Sequence, residues 1–406
     1  MSIKRYLIHD ERLNSSKVKL VAFISFMLGF SQALLAYVMS SYFKQSAGTD
    51  NVGIFYLLSY VIVLTILLNL HKLVKEFGKV FVFYLAFILK LTAITALILL
   101  PFSVWGIVSL ILYIIAGVLV WVSLDAILES SSEDRSSGKI RGINLTIMNA
   151  GFILGPLISS KILEEIGFTG IFFVSLIIHS IVFSVGLISL KRTNYKFRSK
   201  LGVKDLIKKV IQRKNVMRIY YISFTLDFFY ALMLIFTPLY LLDLGYSWHQ
   251  LGVAFTIMLI PFVLIQYPMG ILADKKTGEK EFLILAIFIM GISTLIFYRV
   301  SSPDIVVWTL ILLATRIGAA LIEILRDSYF YKRIDGHDVD IIDFFRTSRP
   351  VAYIAAAILS SLTLFFFPMK AIFLLVSIVV FSALYPAFQL ADNASEEEMN
   401  NKNYAV

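Results

Sequence analysis

Apolar residues fill twelve stretches of the chain, and polar residues concentrate in the short segments between them. The stretches are about 20 residues long, which is the length an α-helix needs to cross a hydrocarbon core of about 30 Å. Lipid offers no hydrogen-bond partners to backbone groups, and the runs lack the alternation of barrel strands, so we expect helices. The predicted helices, numbered 1–12 in chain order, are 19–42, 52–71, 80–100, 104–128, 142–162, 168–190, 217–242, 249–272, 281–300, 305–331, 344–366 and 369–390.

Composition strengthens this interpretation. Hydrophobic residues make up 59% of the 406 positions, against about 45–50% in soluble proteins. Cysteine is absent, which excludes disulfides, thiolate nucleophiles and cysteine metal sites. The sequence shows no metal-ligand cluster, no phosphate-binding glycine loop and no nucleophile beside a base. We therefore predict a membrane protein that is not an enzyme, holds no metal or cofactor and is not driven by ATP on its own.

The net charge is +10, and the basic residues responsible for it are concentrated on one side of the predicted helices. With the N-terminus inside, 31 of the 37 Lys and Arg fall on the cytoplasmic side and two, Lys90 and Arg316, lie within spans. The four on the outside are Lys44, Lys161, Arg299 and Lys370. This bias predicts a multi-pass protein of the cell (plasma or inner) membrane with both termini in the cytoplasm. Since topology accounts for the charge, no nucleic-acid partner is expected.

An internal repeat organises the chain. Asp125 and Glu129 recur 198 residues later as Glu323 and Asp327, at the ends of predicted helices 4 and 10. Repetition of a rare charge pattern indicates a duplicated fold unit. Because helix 7 runs in the same direction as helix 1, the two six-helix units form a parallel repeat, and substrates of such proteins bind between the halves.

The repeat predicts the domain organisation. Residues 1–190 form an N-terminal six-helix bundle and 218–390 a C-terminal one. The segment 191–217 is a basic cytoplasmic linker in which Asp205 is the only acid, and its apolar residues follow helical spacing. This favours an amphipathic helix on anionic membrane lipids, or a linker that only anchors the topology. The polar, acidic tail 391–406 is predicted to be disordered.

Two local motifs resemble those of a known family, the major facilitator superfamily. Gly270-x-Leu272-Ala273-Asp274-Lys275 with Gly278 is similar to its signature after the second helix of a half, and Gly151-x-x-x-Gly155-Pro156 to its glycine-proline motif. In the first half only Lys75 and Gly78 of the signature survive. The resemblance covers roughly residues 15–390 and implies an all-α membrane protein of twelve helices in two six-helix bundles.

The resemblance also implies a function. The expected activity is secondary active transport of small organic solutes by alternating access, by a monomer, with protons or another ion as the coupling partner. The glycine-proline motif is common in proton-coupled antiporters, which favours efflux. The alternatives are an importer of a nutrient such as a sugar or nucleoside, and a non-transporting sensor or scaffold on the same fold, because one fold hosts many functions.

Charged residues inside the spans are the first candidates for a substrate or proton-coupling site. Asp227 and Arg316 lie near the middle of predicted helices 7 and 10, which the resemblance places at the central cavity. Their opposite charges favour a mutual pair, which is either functional or a structural link between the helices. Lys90 and His179, in helices 3 and 6, have no assigned role, and a hydrogen-bonded core position is the simpler interpretation of the histidine. Neutral residues expected in or beside the cavity are Gln32, Tyr37, Tyr230, Thr237 and Gln266.

The repeated acids suggest a gate. In the superfamily's arrangement helix 4 of one half meets helix 11 of the other, and helix 10 meets helix 5. Acids that end helices 4 and 10 would then face bases that open helices 5 and 11, forming contacts in one state and breaking them in the other; the alternative is ordinary interfacial charges. The acids are Asp125, Glu129, Glu323 and Asp327, and the bases are Lys139, Arg141, Arg346 and Arg349. Asp274 is expected to cap the N-terminus of helix 5.

Overall fold

The structure, a computed structural model, describes residues 22–129, 137–189, 210–272, 278–334 and 339–391. Over these residues the chain is helical, with no strand. Twelve helices within the described ranges are long and apolar enough to cross a membrane. They are α1 Ala22–Ala47, α2 Gly53–Phe77, α3 Lys79–Leu99, α4 Val104–Glu129, α5 Ser137–Glu165, α6 Phe168–Ser189, α7 Lys214–Asp243, α8 Trp248–Leu272, α9 Lys280–Arg299, α10 Ile305–Lys332, α11 Phe344–Phe366 and α12 Ala371–Phe388.

Prolines interrupt three helices of the second half of the chain. The last segments of α8, α11 and α12 begin at Gln266, Ser348 and Leu384, and each contains a proline at its third position: Pro268, Pro350 and Pro386. A proline has no N–H to donate to the carbonyl four residues earlier, so the preceding segment ends there. The continuous apolar runs therefore fold as broken helices.

Exposed apolar side chains cover the helices in the manner of a lipid-facing surface. Phe365 and Phe366 at the end of α11 are 80% and 70% exposed, and Leu99 of α3 is 71% exposed. A soluble protein rarely leaves such large side chains uncovered over many helices. Burial thus agrees with the apolar composition.

The contacts divide the chain into two compact units. The first comprises Met1–Ala36 with Asn69–Arg198, and the second Tyr37–Leu68 with Ser199–Val406. The boundary in α1 coincides with a turn at 37–38, after which the segment Met39–Ala47 packs on α7. The predicted halves 1–190 and 218–390 stay a prediction. Most of the predicted linker helix and nearly all of the tail lie outside the described residues.

Glycines bring α1 and α5 together in the first unit. A Cβ added at Gly151 would meet backbone atoms of Phe26 and Phe30, and one at Gly155 would meet Ala33. Helices approach this closely only where small residues line the contact. Elsewhere in the unit α3 packs on α4 and α6. In the second unit α10 packs on α8 and α9, and α7 packs on α11 and α12.

Candidate functional site

Asp227 lies near the middle of α7 and is 5% exposed. Ser348 Oγ donates a hydrogen bond to Asp227 Oδ2 at 2.9 Å, and Arg326 Nη1 lies 3.7 Å from the same oxygen. The carboxylate therefore has an ion-pair partner on α10 and a neutral donor on α11.

Arg326 extends this contact into a polar cluster. Its Nη1 donates to Ser223 Oγ at 2.7 Å, and Ser223 Oγ lies 2.9 Å from Ser348 Oγ. Ser223 and Asp227 are four residues apart on α7, so both side chains lie on one face of the helix. Asp327 Oδ1 lies 3.4 Å from Arg326 Nε. We call these five residues, Ser223, Asp227, Arg326, Asp327 and Ser348, the Asp227 cluster.

The interruption of α11 positions one member of the cluster. Pro350 cannot donate to the carbonyl of Arg346, so the helix ends at Arg346 and restarts at Ser348. The first residue of the new segment is the one that donates to Asp227. A helix N-terminus carries a partial positive charge, which favours a carboxylate beside it.

Glu323 is a second acid on α10, one turn before Asp327. Gln266 Nε2 donates to Glu323 Oε2 at 2.8 Å, and the Tyr230 hydroxyl lies 3.5 Å from the same oxygen. Gln266 reaches this position because the last segment of α8 begins with it. Both groups that hydrogen-bond the Glu323 carboxylate are neutral.

Arg316 lies ten residues before Arg326 on α10 and is 3% exposed. Its guanidinium carbon is 4.9 Å from the ring centre of Phe229 and 5.9 Å from that of Tyr230. The guanidinium also interacts electrostatically with the hydroxyl group of Tyr37 on α1. Its Nη1 is buried and has no hydrogen-bond partner among the described residues.

The predicted pair between Asp227 and Arg316 is wrong for this structure, because Asp227 pairs with Arg326 instead. An α-helix turns by about 100° per residue, so arginines ten residues apart point about 80° away from each other. Arg326 contacts Asp227 and Ser223 of α7, whereas Arg316 contacts the rings of Phe229 and Tyr230 on the same helix. Both arginines lie in predicted helix 10, and the sequence does not show which face of the helix each one occupies.

The neutral candidates separate into three groups. Tyr37, Tyr230 and Gln266 lie at Arg316 or Glu323, as described above. Gln32 belongs to the first unit, where its Oε1 accepts a hydrogen bond from Trp121 Nε1. Thr237 Oγ1 points to the sulfur of Met233, one turn back on its own helix, at 3.8 Å. Three of the five neutral candidates therefore lie next to a charged residue of α10, and their role in a substrate site stays a prediction.

Lys90 and His179 lie in the first unit and are 1% and 0% exposed. His179 Nδ1 is 2.7 Å from Ser31 Oγ and 2.8 Å from the Ser175 carbonyl oxygen, as expected for a hydrogen-bonded core histidine. Lys90 Nζ lies 4.8 Å from the ring centre of Tyr113 on α4. The lysine is therefore buried against an aromatic ring.

Comparison with known families decides the identity of the fold. A family model described as Major Facilitator Superfamily matches residues 21–334. The chain belongs to the major facilitator superfamily. No curated protein matches it. The family and the twelve apolar helices of the described ranges make it a multi-pass membrane transporter with the all-α fold of this superfamily.

The superfamily motifs have structural roles where they are described. Gly151 and Gly155 allow the close approach of α5 to α1, and Pro156 lies inside α5. Gly278 has a φ of +71°, a left-handed conformation that favours glycine. The next residue, Glu279, is fully buried and pairs with Lys332 at 2.5 Å. Gly270 packs near Ile324 of α10, while Asp274 and Lys275 lie outside the described residues.

The gate prediction is untested. Glu323 and Asp327 have the contacts given above, Arg346 is half-buried, and Arg349 lies 5.7 Å from the ring centre of Tyr353. The side chains of Asp125, Glu129, Lys139 and Arg141 lie outside the described part of the structure.

Three members of the Asp227 cluster, Arg326, Ser223 and Ser348, are not among the site residues predicted from the sequence. Arg326 carried a usable signal, because a charge within predicted helix 10 is costly unless it has a partner. Ser223 and Ser348 carried none, since serines are common in membrane helices. Their importance depends on which helix faces they occupy.

Proposed function

We propose that this superfamily member is a proton-coupled secondary active transporter of small organic solutes that works by alternating access. The observation that carries the proposal is a pair of acids on packed helices of one unit: Asp227 is buried, Glu323 is half-buried, and both accept hydrogen bonds from neutral side chains. A scaffold gains nothing from buried ionisable groups, since each lowers stability unless it is paired. A transporter needs such groups to bind and release its coupling ion.

The surroundings of the two acids suggest different roles. Protonation of Asp227 would remove the negative member of its ion pair with Arg326. Glu323 is hydrogen-bonded by Gln266 and Tyr230, so a proton there breaks no ion pair of its own. We propose that Glu323 takes up the proton and that Asp227, through Arg326 on the same helix, links this event to movement of α10 against α7.

Transport in purified form tests the proposal. The full chain is reconstituted in liposomes and screened with a library of small organic compounds for flux, with and without an imposed pH gradient. We expect at least one compound to accumulate against its gradient only when the pH gradient is present. Solute flux that is the same with and without the pH gradient would contradict proton coupling. The absence of flux for every compound would favour the non-transporting alternative.

Two variants, in which each acid is replaced by its uncharged amide, test the roles proposed for Glu323 and Asp227. Neutralisation imitates the protonated state, so Glu323→Gln is expected to abolish gradient-driven accumulation while retaining exchange of solute across the membrane. Asp227→Asn is expected to reduce both. Glu165→Gln, at an exposed acid at the end of α5, is the matched control and should behave like wild type. Full accumulation by both Glu323→Gln and Asp227→Asn would exclude these residues as the coupling site.

Direction and orientation follow from the same liposomes. We propose export, on the glycine-proline motif, with the termini in the cytoplasm of a cell whose plasma or inner membrane holds the protein. A protease-accessible tag at either terminus reports orientation, and the side on which the solute accumulates reports direction. Accumulation on the cytoplasmic side, with the pH gradient directed inward, would identify an importer instead.

A further inference from the structure

Arg316 is a buried cation whose hydrogen-bonding capacity is not filled by the described part of the protein. It is 3% exposed, its Nη1 has no hydrogen-bond partner, and no described carboxylate lies within ion-pair distance. A guanidinium has five N–H donors and keeps its charge in proteins. Burial of such a group without an anion is strongly unfavourable.

The nearby acids are engaged elsewhere. Asp227 accepts from Ser348 and pairs with Arg326. Glu323 lies seven residues beyond Arg316 on α10, about 10 Å along the helix axis, and accepts from Gln266. Because both carboxylates already have partners, the described part of the chain supplies no anion for Arg316, and a bound solute is the source that we consider.

Aromatic rings surround the same guanidinium. Phe229 and Tyr230 of α7 lie 4.9 and 5.9 Å from it, and Tyr37 of α1 interacts with it. The Tyr37 ring in turn lies 4.8 Å from that of Phe255 on α8. These contacts offset part of the cost of burying the charge. They also place flat apolar surface next to a donor that suits planar anions.

We propose that Arg316 binds the anionic group of the transported solute, and that Phe229, Tyr230 and Tyr37 contact an aromatic or other flat part of the same molecule. The substrate class is therefore organic anions that carry a carboxylate or a phosphate. The inference rests on the proposed transport function and narrows its substrate. It does not depend on the proposed assignment of proton uptake to Glu323.

Binding measurements with small molecules that share one carbon skeleton but differ in charge test the inference without any transport assay. The probes are aromatic carboxylates and aryl phosphates of increasing size, starting with 3-phenylpropionate and phenyl phosphate. Each has an uncharged partner such as 3-phenylpropionamide and a cationic partner such as 3-phenylpropylamine. Affinity for the detergent-purified full chain is measured by calorimetry and by the shift in unfolding temperature. We expect at least one anion to bind and its neutral and cationic partners to bind about tenfold or more weakly.

Variants at position 316 tie that binding to the arginine. Arg316→Gln should lower anion affinity by about tenfold or more, whereas Arg316→Lys should retain phosphate binding better than carboxylate binding, because an ammonium is a point charge. Arg299→Gln, at an exposed arginine, is the matched control. If Arg316→Gln does not fold, the ratio of phosphate to carboxylate affinity in Arg316→Lys decides.

Three outcomes would overturn the inference. They are binding of neutral or cationic members in preference to anions, undiminished anion binding by Arg316→Gln, and no binding by any anion of the series. Because no gradient is applied, failure of proton coupling would leave this measurement unchanged. Anion binding that depends on Arg316, together with gradient-independent flux, would keep the anion site and reject the coupling proposal.

Discussion

At the scale of single residues, the buried ion pair between Asp227 and Arg326 explains how two charges can lie inside packed membrane helices. Their side chains are 8% and 12% exposed. A pair of this kind contributes little net stability, because desolvation offsets the attraction between the charges. Removal of one partner, in contrast, is strongly destabilising, because the remaining charge stays buried without an opposite charge beside it.

This asymmetry gives a prediction for stability. Arg326→Ala should destabilise the protein by about 3–5 kcal/mol, and the double variant Asp227→Asn with Arg326→Gln should be clearly more stable than Arg326→Ala. The measurement is the unfolding temperature in detergent, with Arg299→Ala as the exposed control. Equal losses in the single and double variants would mean that the pair is not the source of the effect.

At the scale of helices, glycines decide how closely α5 lies to α1. A Cβ at Gly155 would fall within 2.7 Å of the Ala33 carbonyl carbon, whereas one at Gly117 of α4 would find Lys90 Nζ at an ordinary 3.7 Å. Both glycines lie inside helices, where alanine is intrinsically preferred. The two positions therefore separate packing from helix propensity.

The same substitution should have opposite effects at these sites. Gly155→Ala is expected to cost about 1–3 kcal/mol, the usual range for overpacking. Gly117→Ala should be neutral or stabilise by up to about 1 kcal/mol. Unfolding temperatures of the two variants check this. A stable Gly155→Ala protein would show that α1 and α5 can move apart at no cost.

At the scale of the whole molecule, contacts within the second unit tie the end of α1 and the start of α2 to α7 and α11. Lys44 Nζ lies 2.8 Å from both Asp50 Oδ1 and Asp243 Oδ1. Ser361 Oγ donates to Asn51 Oδ1 at 2.8 Å, and the rings of Tyr60 and Tyr353 stack at 4.1 Å. Three of these contacts join a residue of the predicted half 1–190 to a residue of the predicted half 218–390. If the two halves move against each other in the proposed alternating access, these contacts would have to separate in the opposite state.

The absence of cysteine makes that separation measurable without background labelling. In a Ser361→Cys protein, Lys44→Glu should raise the rate of maleimide labelling by up to about fivefold, because exposed pairs contribute roughly 0–1 kcal/mol. Addition of Asp243→Lys should lower the rate again by restoring one pair. Ser301→Cys, at an exposed position, should label equally in all backgrounds. Identical rates at Ser361→Cys in all three backgrounds would contradict a role for Lys44 in this contact.

Much of the architecture was predictable because the requirements that a bilayer places on a membrane-spanning segment can be recognised in the sequence. Each span must be long, apolar and helical, and the twelve predicted helices are confirmed. Asp227, Arg316, Tyr230 and Gln266 could be chosen from the sequence as candidate site residues for the same reason, since polar groups inside apolar runs are costly. The breaks within α8, α11 and α12 were not predicted, although Pro268, Pro350 and Pro386 carried the signal.

The sequence alone was thus sufficient for the number of spans, the membrane class and the residues that are costly to bury. Tertiary structure alone decided that Asp227 faces Arg326, that Ser348 supplies a donor from a restarted helix, and that Arg316 lies among aromatic rings instead. The reason is geometric. Hydrophobicity is a property of each segment, whereas the partner of a charge depends on helix rotation and on packing between segments that are distant in the chain.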